Sequence, residues 1–280
     1  MAEPTLSVVV NYFNPRGVER IRCMTKLCLR LFVDFTASGL ELLLLDGSGI
    51  ECEDMRRYCA SIGAAYHPSA TPEPFARTFN RGLDMARGDL LALCANDILT
   101  VKGWDLALRQ EMARTGAAMA APYLSCADYC SQTRYWVLRR RTFVPSFLTF
   151  NLNLMTRECW TTVGPIDEQF TGSYNDLDYL LRIRAAGLEA VIADAGEIAH
   201  YGRLTTDTHT QNDHSLCHDR FLAKYPSLRL GHDVDYASPL FTRSPVLRRL
   251  KSATRYLPAR ARPAGVERLL MRLEPIIHAC

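Results

Sequence analysis

Three polar residues close strand-like apolar runs in this chain. Asn11 stands near the end of "LSVVVNY", Asp46 ends "LELLLLD", and Asn96 and Asp97 follow "LLALCA". A carboxylate at the tip of a buried run needs a counter-charge or hydrogen-bond donors, because burying it unpaired is expensive. Open α/β sheets bind ligands outside the carboxyl ends of their strands, so three polar ends on one edge define a candidate site. Taken singly, each is also an ordinary turn residue, as Asn and Asp often are. Further along, "SYNDLDYLLRIRAAG" puts Asp176 and Asp178 in the first turn of a predicted helix. A carboxylate there can take a proton, or simply sit at the positive helix end for ~0.3–1 kcal/mol. His200 comes after the run "LEAVIAD" and before Tyr201-Gly202. His214 and His218 are one helical turn apart and either grip a metal or share a helix face. Cys126 and Cys130 form the only close cysteine pair, and without a second pair they do not predict a structural zinc.

The elements that would position these residues alternate. Leu6–Tyr12 and Leu40–Asp46 are continuous apolar runs, the pattern of strands covered on both faces. Helical spacing is expected from Val18 to Phe35, from Cys52 to Ile62, and at Phe75, Phe79, Leu83 and Ala86, with Gly88 as a C-terminal stop. "AAYHP" reads as a short strand and "YWVLRRRTF" as an antiparallel one. Leu177, Leu180, Leu181 and Ile183 form a helix stopped by Gly187, with Ser173 and Asp176 spaced as a capping box. Strands alternating with helices predict an α/β fold around a mostly parallel sheet.

Charge and composition narrow the function class. The chain has 280 residues and a net charge of +3. From Arg243 onward there are nine basic residues against Glu267 and Glu274, while the rest carries 24 basic and 28 acidic. That tail mixes Leu, Val and Ile with arginine at roughly helical spacing. It reads either as an interfacial helix on anionic lipid or as a helical arm on the catalytic domain or a neighbouring subunit of a homo-oligomer. No aromatic-rich basic patch accompanies it, so nucleic acid is not an expected partner. No run of ~18 apolar residues predicts a spanning helix, and the N-terminus lacks a signal-peptide pattern. Ten scattered cysteines, several in apolar runs, then suggest free thiols in a reducing cytoplasm.

The order of these pieces resembles the family 2 glycosyltransferases, which are inverting enzymes with the nucleotide-sugar-binding GT-A fold. "SVVVNYFNP" is similar to the family's first strand and "LELLLLDGSG" to its second. "FNRGLDMARGDLLALCANDI" resembles the Asn-Arg-Gly helix that leads into the metal-binding strand. "NLMTRECWTTVGPIDEQFTGSYNDLDYLLRIRAAGLEAVIADAGEIAHYG" resembles the acceptor-side block. The likeness spans roughly residues 5–225. It implies a GT-A catalytic domain over 1–225, with a donor half to about 105 and an acceptor half beyond, and a basic helical extension over 226–280. Two positions depart from the pattern. Ala95 stands where relatives often have a carboxylate, and Asn175 stands where they often have Glu.

The resemblance implies a divalent cation, manganese or magnesium, between Asp97 and the diphosphate of a nucleotide-sugar donor, with His200 as a second metal or diphosphate contact. The alternative for Asp97 is a cap on a helix beginning near Val101. Asn11 is then expected near the base, Asp46 near the base or ribose, Arg81 near the base or phosphates, and Asn96 beside the donor; a solvated helix face is the other reading of Arg81. Asp176 would be the general base for a saccharide or lipid-linked saccharide hydroxyl, and Asp178 a structural or acceptor-orienting neighbour. Trp160 and Tyr174 would either stack on a sugar ring or pack in the core. Activity in surface polysaccharide or glycolipid assembly, at the cytoplasmic face of a membrane, fits this picture. A non-catalytic carbohydrate- or nucleotide-binding protein is the competing reading, and a sugar-phosphate nucleotidyltransferase would need a Gly-rich activating loop that "VNYFNPRG" does not supply.

Overall fold

A computed structural model of the chain describes residues 5–126, 148–202, 204–205 and 214–226. The predicted strand "YWVLRRRTF", Cys130, and the basic extension beyond Pro226 lie outside the described residues.

The first half alternates as its sequence requires. It runs β1 (Leu6–Tyr12), α1 (Glu19–Phe35), β2 (Leu40–Asp46), α2 (Glu53–Ser61), β3 (Ala65–Pro68), α3 (Phe75–Met85) and β4 (Leu90–Ala95). β3, β2, β1 and β4 run parallel to one another. Both faces of these strands are covered. Val8, Val10, Leu42 and Leu44 pack toward α1 and α2, where Leu29, Phe32 and Met55 lie. Val9, Leu43 and Leu45 pack toward Ala76, Phe79 and Leu83 of α3. Burial on both sides is why these strands read as unbroken apolar runs.

The second half is mixed. β5 (Ile98–Leu99), α4 (Trp104–Thr115), β6 (Met119–Cys126), β7 (Leu152–Thr156), α5 (Arg157–Val163), α6 (Asn175–Ala185), β8 (Ala190–His200) and α7 (His214–Lys224) complete the described chain. β7 is antiparallel to β4 and β6, β8 is parallel to β6, and β5 is antiparallel to β8. The eight strands form one sheet in the order β3-β2-β1-β4-β7-β6-β8-β5, flanked by helices on both faces. A small cluster of Phe170, Leu177, Cys217 and Phe221 joins α7 to α6.

Asn80 and Gly82 of the Asn-Arg-Gly helix do separate work. Asn80 clasps the backbone of Ile166, accepting from its N–H and donating to its carbonyl, each at 2.8 Å. That clasp fastens α3 to the turn ahead of α6. At Gly82 a Cβ would fall 2.4 Å from Val9 Cγ1 and 2.8 Å from Leu45, so only glycine lets α3 lie this close to the sheet.

Four local expectations are corrected. α3 stops at Met85 with an extended Ala86, and Gly88 is not its left-handed stop; a Cβ there would meet the Ser7 backbone at 2.6 Å. The capping box at Ser173 does not form: Tyr174 is the N-cap, in the left-handed region at φ 67°, with no side-chain cap bond. The strand of "LEAVIAD" does not end at Asp194. Gly196, at φ 90°, lets β8 bend and re-pair through His200. α4 begins at Trp104 behind Gly103, so Asp97 caps no helix.

Candidate active site

Asp97 leaves the end of β4 and turns directly into β5, whose two residues pair with the last residues of β8. That pairing sets Ile98 opposite His200 and brings the two chain ends together. Asp97 Oδ1 lies 3.2 Å from His200 Nε2. The Gly202 N–H donates to Asp97 Oδ2 at 3.1 Å, and the Tyr201 N–H donates to its carbonyl at 3.0 Å. Asp97 is buried, at 4 % exposure, yet it lines an open cavity of about 570 Å³. This size lies within the usual range of small-molecule sites.

The same cavity collects residues from distant parts of the chain. Asn11 and Phe13 come from the end of β1, Asn96 and Asp97 from the turn between β4 and β5, Phe150 from the turn before β7, Asp176 from α6, and His200 from β8. Asn96 is oriented by its Nδ2, which donates to Thr25 Oγ1 of α1 at 2.9 Å. Asp176 lies in the first turn of α6, where its Oδ1 accepts the Leu177 N–H at 2.8 Å. Of the seven candidate residues, Asn11, Asn96, Asp97, Asp176 and His200 line this one cavity, and Asp46 and Arg81 stand behind its wall.

Asp46 is 1 % exposed. Its carboxylate accepts the Tyr66 hydroxyl at 2.6 Å and the Ser48 N–H at 2.8 Å. Burial pushes its pKa up, against the lowering pull of those bonds and of the nearby Arg81 charge. Here it ties together the Gly47–Gly49 turn. Arg81 donates from Nε and Nη2 to Glu73 Oε2 at 3.1 and 3.0 Å and from both Nη atoms to the His67 carbonyl at 3.3 Å. It reaches the cavity through Glu73, which lines it.

Asp178 is fully buried and structural. Arg182 binds its Oδ2 at 2.9 Å, and Lys224 and the Tyr225 hydroxyl bind its Oδ1 at 2.6 and 2.7 Å. These bonds latch α7 onto α6 behind Asp176. Trp160 packs in the core against Tyr179, with ring centroids 6.4 Å apart, and Tyr174 packs against Phe221 at 5.0 Å. His218 lies beside Asp219; the side chain of His214 lies outside the described residues.

Sequence reasoning missed Glu73, Phe75 and Phe150, all in the cavity wall. None sits at a strand end or within the stretches that singled out Arg81, Asp176 and His200. Asn175 appeared only as a departure from a pattern. The structure shows its Oδ1 accepting the Asp176 N–H at 2.9 Å and its Nδ2 buried with no partner among the described residues.

Among the described residues no three His, Cys, Asp or Glu side chains cluster as a metal site. Asp97 and His200 nevertheless present an oxygen and a nitrogen 3.2 Å apart. That is close to the ~3 Å separation of adjacent ligands on an octahedral ion with bonds of about 2.1 Å. A divalent cation held there would complete its shell with ligand and solvent oxygens.

The parallel half-sheet, its antiparallel continuation and the cavity on the carboxyl edge are those of a GT-A-type glycosyltransferase fold. The chain superposes on the crystal structure of GalNAc-T7 with UDP, GalNAc and Mn2+, with a TM-score of 0.55 and 15% identity over 72% of this chain and 44% of that one. It superposes on S. aureus TarS with a TM-score of 0.58 and 13% identity over 98% of this chain and 52% of that one. At these identities the likeness is one of fold. No family model matches the sequence. Uncharacterised proteins of Mycobacterium bovis and Mycobacterium tuberculosis are 30% identical over 123 residues, 41% of this chain and 47% of theirs. The chain thus spans about half the length of the curated relatives it matches.

Proposed function

We propose that the protein is a metal-dependent inverting glycosyltransferase that moves a sugar from a nucleotide-sugar donor to a hydroxyl on a saccharide or lipid-linked saccharide. The observation that carries this is one cavity lined by the Asp97–His200 pair and by Asp176 on a helix N-terminus. The sugar nucleotide lies along the carboxyl edge of β1 and β4, with its diphosphate toward Asp97. Manganese or magnesium held by Asp97 and His200 would supply charge neutralisation for the departing diphosphate. Asp176 takes the proton of the attacking hydroxyl, and a positioned base of this kind contributes ~10²–10⁴-fold. The buried Asp178 latch fixes the helix that carries it. The reaction is a single in-line displacement with inversion and requires no covalent intermediate on a side chain.

The test is turnover and hydrolysis of a nucleotide-sugar panel with manganese. Asp176→Asn is expected to lower kcat at least ~10²-fold while donor binding persists. Asp97→Ala is expected to abolish the manganese-dependent part of nucleoside-diphosphate binding. Equal turnover in the Asp176→Asn variant would sink the assignment of the base.

One observation favours a second reading. Ala95 lines the cavity and leaves its metal side with a single carboxylate at the end of β4. A protein that binds nucleoside diphosphates without turnover would match it, and metal-independent binding with no hydrolysis of any donor would decide in its favour.

A further inference from the structure

The cavity lining on the β2 side, across β1 from the β4 end that carries Asp97, includes a carboxylate with no part in the chemistry above. Glu73 precedes α3, on a segment strapped to the turn after β2. Its N–H donates to the Gly47 carbonyl at 2.9 Å, Ser48 bridges to Pro72, and the Ser69 N–H donates to the Asp46 carbonyl at 2.8 Å. The Glu73 side chain is only 15 % exposed. Its Oε2 receives both bonds from Arg81, which is itself anchored on the His67 carbonyl. Its Oε1 has no partner among the described residues.

A salt bridge between exposed side chains would mean little. This one is different in three respects. Both groups are mostly covered, the acceptor is fixed at its backbone and its carboxylate, and Glu73 lines the cavity, as do Phe75 and Phe13. Arg81 cancels the charge of Glu73, so the wall does not repel an anionic ligand. What is left is an oriented acceptor oxygen in a cavity that apolar rings also line. Its complement is a hydrogen-bond donor on a flat or cyclic group, at the end of the ligand away from its phosphates.

Resting on the glycosyltransferase reading, we infer that Glu73, held by Arg81, is the specificity-determining carboxylate that accepts a hydrogen bond from the nucleoside part of the donor. Two groups on a nucleoside offer that chemistry, a ribose hydroxyl and a base N–H.

The experiment measures binding of UDP, GDP, their 2′-deoxy and 3′-deoxy counterparts and inorganic pyrophosphate, each with manganese. It compares the wild-type protein with Glu73→Gln and Glu73→Ala, using titration calorimetry with melting temperatures as a folding control. Loss of one hydrogen bond to a charged group is expected to weaken the preferred nucleoside diphosphate ~10- to 100-fold in Glu73→Ala. Glu73→Gln, which keeps one acceptor oxygen, falls between. Pyrophosphate binding should not change. If a ribose hydroxyl is the partner, the preference for one of the ribo- over the deoxynucleotides collapses; if a base N–H is, the preference between UDP and GDP collapses. Either supports the inference. Unchanged affinities in both variants overturn it, as does an equal loss for pyrophosphate, which would mark a structural role. A wild-type protein that binds none of the probes overturns the glycosyltransferase reading itself.

Discussion

The two walls of the cavity are held by different forces. The Glu73 wall is backbone strapped to backbone: the 69–74 segment lies on the Gly47–Gly49 turn through main-chain bonds, with Asp46 sealed beneath. The Asp176 wall is side chain latched to side chain: Asp178 and Asp167 on one side, Arg182, Lys224 and Tyr225 on the other. Close backbone approach leaves little room for a side chain but does not depend on salt. Ion pairs tolerate extra atoms but depend on charge. The wall expected to meet the nucleoside is therefore sterically rigid, and the wall that carries the proposed base is electrostatically held.

The strongest blow to the charged wall is Asp178→Ala. It leaves Arg182 with the Val163 and Pro165 carbonyls and Lys224 with Asp167, and because both cations keep part of their exposure the cost falls at the low end for a broken buried pair, ~3 kcal/mol. A melting temperature lower by about 10 °C is expected. A loss under ~1 kcal/mol would show that the aromatic cluster, and not the latch, holds α7. Next come two glycines with the same left-handed φ. At Gly49, φ 72°, an added Cβ would sit 2.4 Å from Pro72 N; at Gly187, φ 73°, it would meet nothing within 4 Å. Gly49→Ala is expected to cost ~2–4 kcal/mol through clash and strain together, and Gly187→Ala about 1 kcal/mol through conformation alone. Equal costs in chemical denaturation would erase the steric half of the contrast.

The smallest effect separates the walls by sign. The pKa of Asp46 is raised by burial, so the folded state holds its proton longer than the unfolded state does. Its contribution is favourable at low pH and falls as pH rises from the ordinary carboxylate value of 3.8 through the folded value. For Asp167 burial also pushes upward, but bonds from Lys224 and Gln169 outweigh it and hold its pKa below 3.8. Its contribution is present above that value and is lost as pH falls through the lower folded one. Melting curves of Asp46→Asn and Asp167→Asn against the wild type should therefore diverge in opposite directions. The Asp46→Asn difference changes in the variant's favour as pH rises above 3.8. The Asp167→Asn deficit shrinks as pH drops below about 4. Parallel differences would show that the two carboxylates share one environment.

Legibility followed periodicity. β1, β2 and β4, the helices between them, and the polar ends Asn11, Asn96 and Asp97 could be read because a strand buried on both faces must be apolar until it reaches the edge. Local stop signals were read less well. Gly88 looked like a helix end but serves a close approach to Ser7, and Ser173 looked like a cap where a strained Tyr174 stands. Asn153 in β7 could not have been anticipated either: it is fully buried, with neither amide atom bonded among the described residues.

From the sequence alone came the alternation of strands and helices and the carboxyl edge on which the polar residues gather. Both follow from hydrophobic burial along contiguous residues. Only the tertiary structure decided that Asp97 meets His200, that Asp46 turns inward to Tyr66, and that Arg81 serves Glu73. Those outcomes depend on which strand ends and loops are brought within about 3 Å of one another, a distance that no spacing along the chain encodes.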